Sequence, residues 1–239
     1  MQLISSIIFW LFVNIWGAII PILYFPAFFT KNSKLADHGA KIWSVVLVFA
    51  LKKLCKIDFE VLGKENLPKT PFIVACKHQS MWETFIMHLI FHHPAYCYKK
   101  ELIHVPFYGW YVRKMTGIKV DRKGGVSAIK SLIKQSKDYL KKDHVVVIFP
   151  QGTRVPVGGT TDQYPYQVGT AALYLSCEVP VVPAALNSGL FWPKHKMKKN
   201  PGKIVIKFLE PIYPGLSKQE FNQKLENSIE KESEKLINL

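Results

Sequence analysis

Seven short apolar runs, each followed or preceded by a longer amphipathic segment, constrain the fold of this chain more than any other feature. The runs are rich in β-branched and aromatic residues, as strands are, and they cover residues 57–63, 71–77, 95–99, 117–122, 144–150, 179–186 and 203–211. Helix-like segments stand between them at residues 80–91, 105–115, 125–141 and 166–177. This alternation predicts an α/β fold with a mostly parallel central sheet of about seven strands, flanked by helices.

The end of the chain predicts a further helix. Apolar residues recur there at a four-residue spacing, at Phe221, Leu225 and Ile229. Ser217 and Glu220 precede them as an S-x-x-E capping box, which is typical of a helix start. We therefore expect residues 56–239 to form one α/β domain that ends in an amphipathic helix.

The first thirty residues contain no charged side chain. A helix over residues 3–20 would be about 27 Å long, close to the roughly 30 Å hydrocarbon core of a bilayer. Pro21 and Pro26 are expected to interrupt it, and a second apolar run begins at Ile42. We expect residues 1–55 to form two apolar membrane-associating helices, either with one span or with both helices in one leaflet. A buried soluble hairpin is the alternative.

Positive charge follows the apolar start and extends over the whole chain. Lys31, Lys34 and Lys41 flank the first apolar run, and such lysines stay on the cytoplasmic side. This predicts an inner (cytoplasmic) membrane location with the bulk of the protein facing the cytosol. Lys and Arg number 32 against 17 acids, a net charge of +15. That excess favours an anionic partner, such as phospholipid headgroups, a phosphorylated substrate, an acidic carrier protein or nucleic acid.

The segment KHQSMWE places His78 directly after an apolar run and Glu83 five positions later. Open α/β sheets bind ligands at the carboxyl ends of their strands, so His78 is a candidate general base. Glu83 is a candidate partner for the second ring nitrogen of that imidazole. However, Ser80 to Glu83 also form a capping box, in which Glu83 would only accept a backbone N–H. The spacing alone leaves both interpretations open.

Two arginines follow other apolar runs. In IFPQGTR, Gly152 allows the backbone close to a ligand, and Thr153 and Arg154 offer a hydroxyl and a forked cation to phosphate oxygens. Arg122 ends the run GIKVDR in the same way. A solvated surface arginine is the alternative for each position taken singly. Together, beside a histidine at a strand end, the two arginines predict an anion-binding site.

In this order the motifs resemble those of the 1-acylglycerol-3-phosphate O-acyltransferase family of glycerolipid acyltransferases. The first family motif, a His and an acid separated by four residues, matches His78 to Glu83. The second ends at Arg122, and the third, usually FPEGTR, matches FPQGTR at 149–154. The fourth, an apolar segment with a proline, matches VPVVPAALNSG around Pro183. The resemblance covers roughly residues 60–190.

The resemblance implies an enzyme that moves a fatty acyl group from an acyl thioester to the 2-hydroxyl of lysophosphatidic acid at a membrane. The product would be phosphatidic acid, an intermediate of phospholipid synthesis. His78 would be the general base and Glu83 its support. The co-substrate would be acyl-CoA or an acyl-carrier protein, and neither a cofactor nor a metal would be needed. Residues implied for binding the acceptor's phosphate are Arg122, Gln151, Gly152, Thr153, Arg154 and Lys100.

Two positions depart from the family pattern. Glu83 stands where the family usually has Asp, and Gln151 where it usually has Glu. The longer Glu83 needs a different rotamer or a small backbone shift to make the same contact with the imidazole. Gln151 indicates a hydrogen-bonding role instead of an ionised one. We expect activity to survive both changes.

Other polar residues receive structural interpretations. Ser80 is expected to cap a helix and not to act as a nucleophile. His88, His92 and His93 are expected to form the polar end of a helix, because no third-ligand pattern for a metal accompanies them.

Two alternative functions stay open. One is an acyltransferase of the same family that acts on another lysophospholipid or on an amine-bearing lipid. The other is a non-catalytic basic protein that binds membranes or nucleic acid. The apolar first thirty residues argue against nucleic acid, and a protein without enzymatic activity would have no reason to keep His78, Glu83 and both arginines together.

Overall fold

A computed structural model describes residues 1–30, 33–105 and 108–238 of the chain. Three predictions extend to residues outside these ranges. They concern Lys31 in the basic flank, residues 106–107 of the helix predicted at 105–115, and Leu239 at the end of the predicted α/β domain.

Seven strands form one sheet, as the sequence predicts. They are β1 (Ile57–Leu62), β2 (Ile73–Cys76), β3 (Ala95–Lys99), β4 (Gly117–Val120), β5 (Val146–Ile148), β6 (Val181–Leu186) and β7 (Gly202–Phe208). Their order across the sheet is β1-β7-β6-β2-β5-β3-β4. Neighbouring strands are parallel except for the antiparallel pair β6 and β7. The predicted α/β fold with a mostly parallel sheet is therefore confirmed.

Helices cover both faces of this sheet. They are α1 (Gln2–Leu23), α2 (Lys34–Cys55), α3 (Glu83–Ile90), α4 (Tyr108–Lys114), α5 (Gly125–Leu140), α6 (Val168–Cys177), α7 (Ser188–Phe191) and α8 (Lys218–Ile237). Alternate residues of a strand point to opposite faces. In β2, Val74 packs in the cluster that holds residues of α1, α2 and α3, whereas Ile73 packs with residues of α5, α6 and α8. Burial on both faces explains why the central strands are almost continuously apolar.

The two N-terminal helices have boundaries that differ from the predicted ones. Helix α1 would be about 33 Å long, and it is long and apolar enough to cross a membrane. The expected break at Pro21 is wrong, because α1 continues through Pro21 to Leu23 and a 3-10 helix at Phe25–Phe29 follows. Proline has no backbone N–H, so α1 lacks only the one hydrogen bond that residue 21 would donate to the Gly17 carbonyl. Helix α2 begins at Lys34, before the apolar run at Ile42.

Helix α8 forms where the capping box predicts it. The Glu220 backbone N–H donates to Ser217 Oγ at 3.3 Å, and the Ser217 N–H donates to Glu220 Oε2 at 2.8 Å. Phe221, Leu225 and Ile229 are fully buried against the sheet. Burial of each such side chain contributes about 1.5–3 kcal/mol to folding, so this helix closes one face of the core.

The strand order brings several chain segments to one edge of the sheet. Strand β2 lies between β6 and β5, although the chain visits β3 and β4 after leaving β2. The carboxyl ends of these parallel strands therefore meet at the point where the chain changes direction across the sheet. Such a switch point is the usual ligand site of an open α/β sheet.

Candidate active site

His78 follows β2 at this edge of the sheet. Its ring stacks on Phe149, which follows β5, with the ring centroids 4.1 Å apart and the planes at 20°. The His78 carbonyl accepts the Val155 N–H at 2.7 Å. The side chain keeps 14% of its surface exposed and lines a large cavity. The imidazole is therefore held in one orientation but remains accessible from the cavity.

Glu83 lies on the Nδ1 side of the His78 ring and is fully buried. Its Oε2 is 3.4 Å from His78 Nδ1, and Nδ1 has no closer hydrogen-bond partner in the described part of the chain. This distance is long for a hydrogen bond, as catalytic contacts without substrate often are. A proton on the imidazole would make this contact a charge-assisted one.

The same carboxylate also makes the capping contacts. Glu83 Oε1 accepts the backbone N–H of Gln79 and Ser80, both at 3.2 Å, and Oε2 accepts the Ser80 N–H at 3.1 Å. Ser80 Oγ donates to Oε2 at 3.1 Å and accepts the Trp82 N–H at 2.9 Å. The expected capping box is only half formed, because the Ser80 hydroxyl accepts the Trp82 N–H and not that of Glu83, and Trp82 is the N-cap residue of α3. The two interpretations of the KHQSMWE segment coexist, because one buried carboxylate serves both the helix start and the imidazole.

Sequence reasoning missed one partner of this carboxylate. Ser188, at the start of α7 directly after β6, is fully buried and its hydroxyl donates to Glu83 Oε1. The neighbouring Gly189 N–H donates to Gln79 Oε1 at 3.0 Å. A Cβ at Gly189 would lie only 2.9 Å from Val157 Cγ2 and 3.1 Å from Gln79 Cβ, so a larger residue here would require these side chains to shift. The two polar residues that follow the apolar strand β6, Asn187 and Ser188, were the available signal.

The segment 150–154 turns sharply after β5. Gly152 has φ of +65°, which favours glycine, and its N–H donates to the Phe149 carbonyl at 2.9 Å. Arg122, just after the end of β4, packs its guanidinium against this turn. A Cβ built on Gly152 would lie 3.5 Å from the guanidinium carbon Cζ. The structure thus brings together Arg122 and residues 151–154, which the sequence predicts as one anion-binding site, along the same cavity wall.

Arg122 keeps part of its surface in solvent, but its guanidinium is partly desolvated. That desolvation lowers the pKa of Arg122, and the charge of Glu101 opposes the shift. An arginine starts from so high a pKa that it stays protonated at neutral pH. A partly desolvated cation beside a glycine turn is suited to an anionic ligand.

Gln151 is buried, and its amide nitrogen donates to the Tyr164 carbonyl at 3.1 Å. An ionised glutamate, the usual residue of the family here, has no donor for that carbonyl. Gln151 therefore holds the turn to the following loop through a hydrogen bond, while it also lines the cavity.

Lys100 has a different environment from the predicted one. It lies in a 3-10 helix at Lys100–His104, and its Nζ is 2.6 Å from Asp121 Oδ2. This ion pair raises the pKa of Lys100 and lowers that of Asp121. Lys100 is absent from the described residues that line the cavity, whereas the adjacent Lys99 is among them. The Lys100 ammonium, which the family resemblance assigned to phosphate binding, thus forms an ion pair with the Asp121 carboxylate.

His88, His92 and His93 lie at or just after the end of α3. His92 is exposed and its ring contacts that of His93, with centroids 4.1 Å apart. His88 is buried beside Tyr96, with ring centroids 4.9 Å apart, and burial lowers the pKa of His88 to about 4. His88 does lie in the last turn of α3, as expected, but its side chain is buried and not solvated there. His93 Nδ1 is 3.2 Å from the buried Asp37 Oδ2 of α2. Within the described ranges, no three His, Cys, Asp or Glu side chains are grouped to hold a metal ion.

The cavity has a volume of about 930 Å³, at the upper end of the range for small-molecule sites. His78, Arg122 and the 151–154 turn line its polar part. Its remaining walls are largely apolar and include Val112, Met115, Val120, Ile129, Leu132 and Ile148. A cavity with these two kinds of wall can hold a molecule that has an anionic head and an apolar chain.

Known proteins are similar to this chain in sequence and in fold. The sequence model of the family described as Acyltransferase matches residues 58–187, a range that contains His78, Glu83, Arg122 and the 151–154 turn. A 1-acyl-sn-glycerol-3-phosphate acyltransferase of Pseudomonas aeruginosa is 36% identical over 216 residues, which span 86% of this chain and 79% of the relative. One of Saccharomyces cerevisiae is 32% identical over 167 residues, 68% of this chain and 54% of the relative.

A solved structure shares the fold over nearly its full length. It is the 1-acyl-sn-glycerophosphate (LPA) acyltransferase of Thermotoga maritima, with a TM-score of 0.77 and 23% identity, over 98% of this chain and 95% of that one. The structural likeness concerns the fold, while the family match and the Pseudomonas relative establish the family. The chain belongs to the acyltransferase family that its four motifs resemble, and it is an acyltransferase.

Proposed function

We propose that this chain transfers a fatty acyl group from an acyl thioester to the 2-hydroxyl of lysophosphatidic acid and forms phosphatidic acid. The observation that carries the proposal is one cavity lined by His78, Arg122 and the 151–154 turn, with the buried Glu83 against the His78 imidazole. Relatives from bacteria, yeast and plants are named for the same acceptor.

In the proposed reaction, His78 accepts the proton of the acceptor's 2-hydroxyl as that oxygen attacks the thioester carbonyl. The new C–O bond gives a tetrahedral intermediate, and the C–S bond then breaks. The imidazolium returns its proton to the leaving thiolate, so a free thiol and an ester result. Glu83 orients Nδ1 and stabilises the imidazolium while the imidazolium carries the proton.

Burial makes this support effective. Glu83 has no contact with solvent, so its charge acts on His78 through a medium of low dielectric constant. Its backbone and hydroxyl donors keep the carboxylate fixed and compensate its desolvation. The carboxylate is therefore preorganised for the imidazolium and does not need to move during the reaction.

We also propose that α1 inserts into the membrane, with the catalytic domain on the cytosolic side of the inner membrane. Helix α1 leaves large apolar side chains exposed along its length, among them Ile4, Ile8, Leu11, Ile15 and Ile22. Exposed apolar surface of this extent marks an interaction with lipid or protein. Flotation of the purified chain with anionic lipid vesicles tests the proposal. Ile8→Lys together with Ile15→Lys should reduce flotation, and unchanged flotation would count against insertion of α1.

The activity itself is tested with purified protein and lysophosphatidic acid, with acyl-CoA and acyl-carrier protein offered separately as donors. We expect phosphatidic acid from at least one donor and lower rates with lysophosphatidylcholine or lysophosphatidylethanolamine. Equal or higher rates with those acceptors would identify another lysophospholipid as the substrate. The His78→Ala variant serves as the inactive reference.

A further inference from the structure

Lys194 reaches the anion-binding turn from a part of the chain that none of the four sequence motifs includes. It lies between α7 and β7, and its Nζ donates to Thr153 Oγ1 at 3.3 Å and to the Arg154 carbonyl at 3.1 Å. It lines the same cavity as His78 and Arg122. Three cationic side chains therefore surround one turn: Arg122 beside Gly152, Arg154 within the turn, and Lys194 against Thr153.

The charge of Lys194 is not neutralised. Both acceptors of its Nζ are uncharged, and no carboxylate of the described ranges lies within ion-pair distance of Lys194. An ammonium has three N–H donors, so one is available for a ligand. Several like charges around one partly buried turn repel each other unless an anion binds among them. A phosphate monoester has the charge and the number of acceptor oxygens for this position.

The segment that carries Lys194 is anchored and not a freely solvated loop. Trp192 is mostly buried, and its ring packs on Phe9 of α1 and Phe85 of α3, with centroids 5.3 and 5.9 Å away. The Lys199 N–H donates to Ser6 Oγ of α1 at 2.9 Å. Lys196 and Lys198 of the same segment are exposed. Lys194 thus differs from the neighbouring lysines in its contacts with the 151–154 turn, not in residue type.

We propose that Lys194 binds the phosphate monoester of the acceptor, together with Thr153 and Arg154, and so contributes to the selection of a phosphorylated acceptor. This inference rests on the proposed function. It assigns Lys194 to substrate binding and not to the chemical step, because His78 and Glu83 already supply the acid–base group and its support.

The test compares Lys194→Gln, Lys194→Arg and the control Lys196→Ala by steady-state kinetics with lysophosphatidic acid and with the acyl donor. Gln keeps a hydrogen-bond donor near Thr153 but removes the charge. We expect Lys194→Gln to raise the KM for lysophosphatidic acid about 10-fold to 100-fold, with kcat within about threefold. Lys194→Arg should restore most of the affinity, and Lys196→Ala should behave as wild type. Thermal melting of each variant checks that it is folded.

Three results would overturn the inference. They are an unchanged KM in Lys194→Gln, an equal rise in KM for Lys194→Gln and Lys194→Arg, and a rise in the KM of the acyl donor alone. The last would move Lys194 to the donor site. Wild-type protein that fails to acylate lysophosphatidic acid would instead contradict the proposed function, so the two failures are distinguishable.

Discussion

The two regions of the active site are built in opposite ways. Glu83 is fully buried on the first turn of α3 and is held by backbone and hydroxyl donors, and His78 is stacked on Phe149. Residues 152–154 and the cations around them lie partly exposed, on segments that follow strands or connect elements. A rigid, buried pair suits a chemical step that tolerates little displacement. A more open group of cations suits a headgroup that must enter and leave. Substitutions in the buried His78–Glu83 region should therefore lower kcat, and substitutions in the open cationic region should raise the KM for lysophosphatidic acid.

The largest effect is expected from a substitution in the buried region. Glu83→Gln removes the charge that supports the imidazolium but keeps nearly the same shape. We expect kcat to fall by a factor on the order of 10²–10⁴, with little change in the KM for lysophosphatidic acid. Steady-state kinetics measures both, and Glu65→Gln, on an exposed 3-10 helix, is the control. A kcat near that of wild type would mean that Glu83 only caps α3.

Arg122→Ala probes the open region. Loss of a charge-assisted contact with phosphate should raise the KM for lysophosphatidic acid by about 10-fold to 100-fold, while kcat falls less. The neighbouring Lys123→Ala, also exposed, is the matched control. If Arg122→Ala lowers kcat as strongly as Glu83→Gln while KM stays constant, the division between the two regions is wrong.

A smaller effect is expected from Ser188, which contacts the carboxylate of Glu83. That carboxylate extends further than the Asp that the family usually has at this position. Ser188 donates to Glu83 Oε1 from the far side of the site, and an aspartate would be too short to keep that contact and the approach to His78. We expect Ser188→Ala to lower kcat by about 3-fold to 10-fold, with KM unchanged. Glu83→Asp should cost a similar factor.

The double variant of these two positions separates positioning from general destabilisation. In the Glu83→Asp background the Ser188 contact is already lost, so Ser188→Ala should have little further effect on kcat. Two fully multiplicative losses would show that Ser188 acts independently of the carboxylate.

The smallest effect is expected at Lys100, which marks the outer limit of the open region. Its charge is engaged by Asp121 in an exposed ion pair, so Lys100→Ala should leave kcat and the KM for lysophosphatidic acid within about twofold of wild type. A tenfold rise in KM would return Lys100 to the phosphate site.

The sequence predicts the fold well because its signals are local. Each of the seven strands is a short apolar run with a turn or helix signal at its end, and the Ser217 and Glu220 capping box fixes the start of α8. The start of α2 at Lys34 was not predicted, since its first two turns are largely polar and only tertiary contacts stabilise them. An example is Asp37, buried on α2, whose carboxylate accepts the Thr116 N–H at 2.9 Å.

The site residues likewise divide into those with a local sequence signal and those whose contacts are distant in sequence. The positions of His78, Glu83, Arg122 and the 151–154 turn follow from strand ends and a recognisable motif order. Lys194 contacts Thr153 across about forty residues of sequence, and nothing local distinguishes it from the basic residues around it. Lys100 is a related case, because its ion pair with Asp121 joins residues 21 apart in sequence and has no local signal. Its assignment to phosphate binding stays a prediction.

The most direct test of the whole account separates binding from chemistry in one variant. His78→Ala removes the proposed general base but none of the proposed phosphate ligands. Equilibrium binding of lysophosphatidic acid to this variant, with its turnover measured in parallel, should give a Kd within about twofold of wild type and a turnover at least about 10² lower. A Kd that rises together with the loss of turnover, or a turnover that persists, would contradict the assignment of His78 to the chemical step.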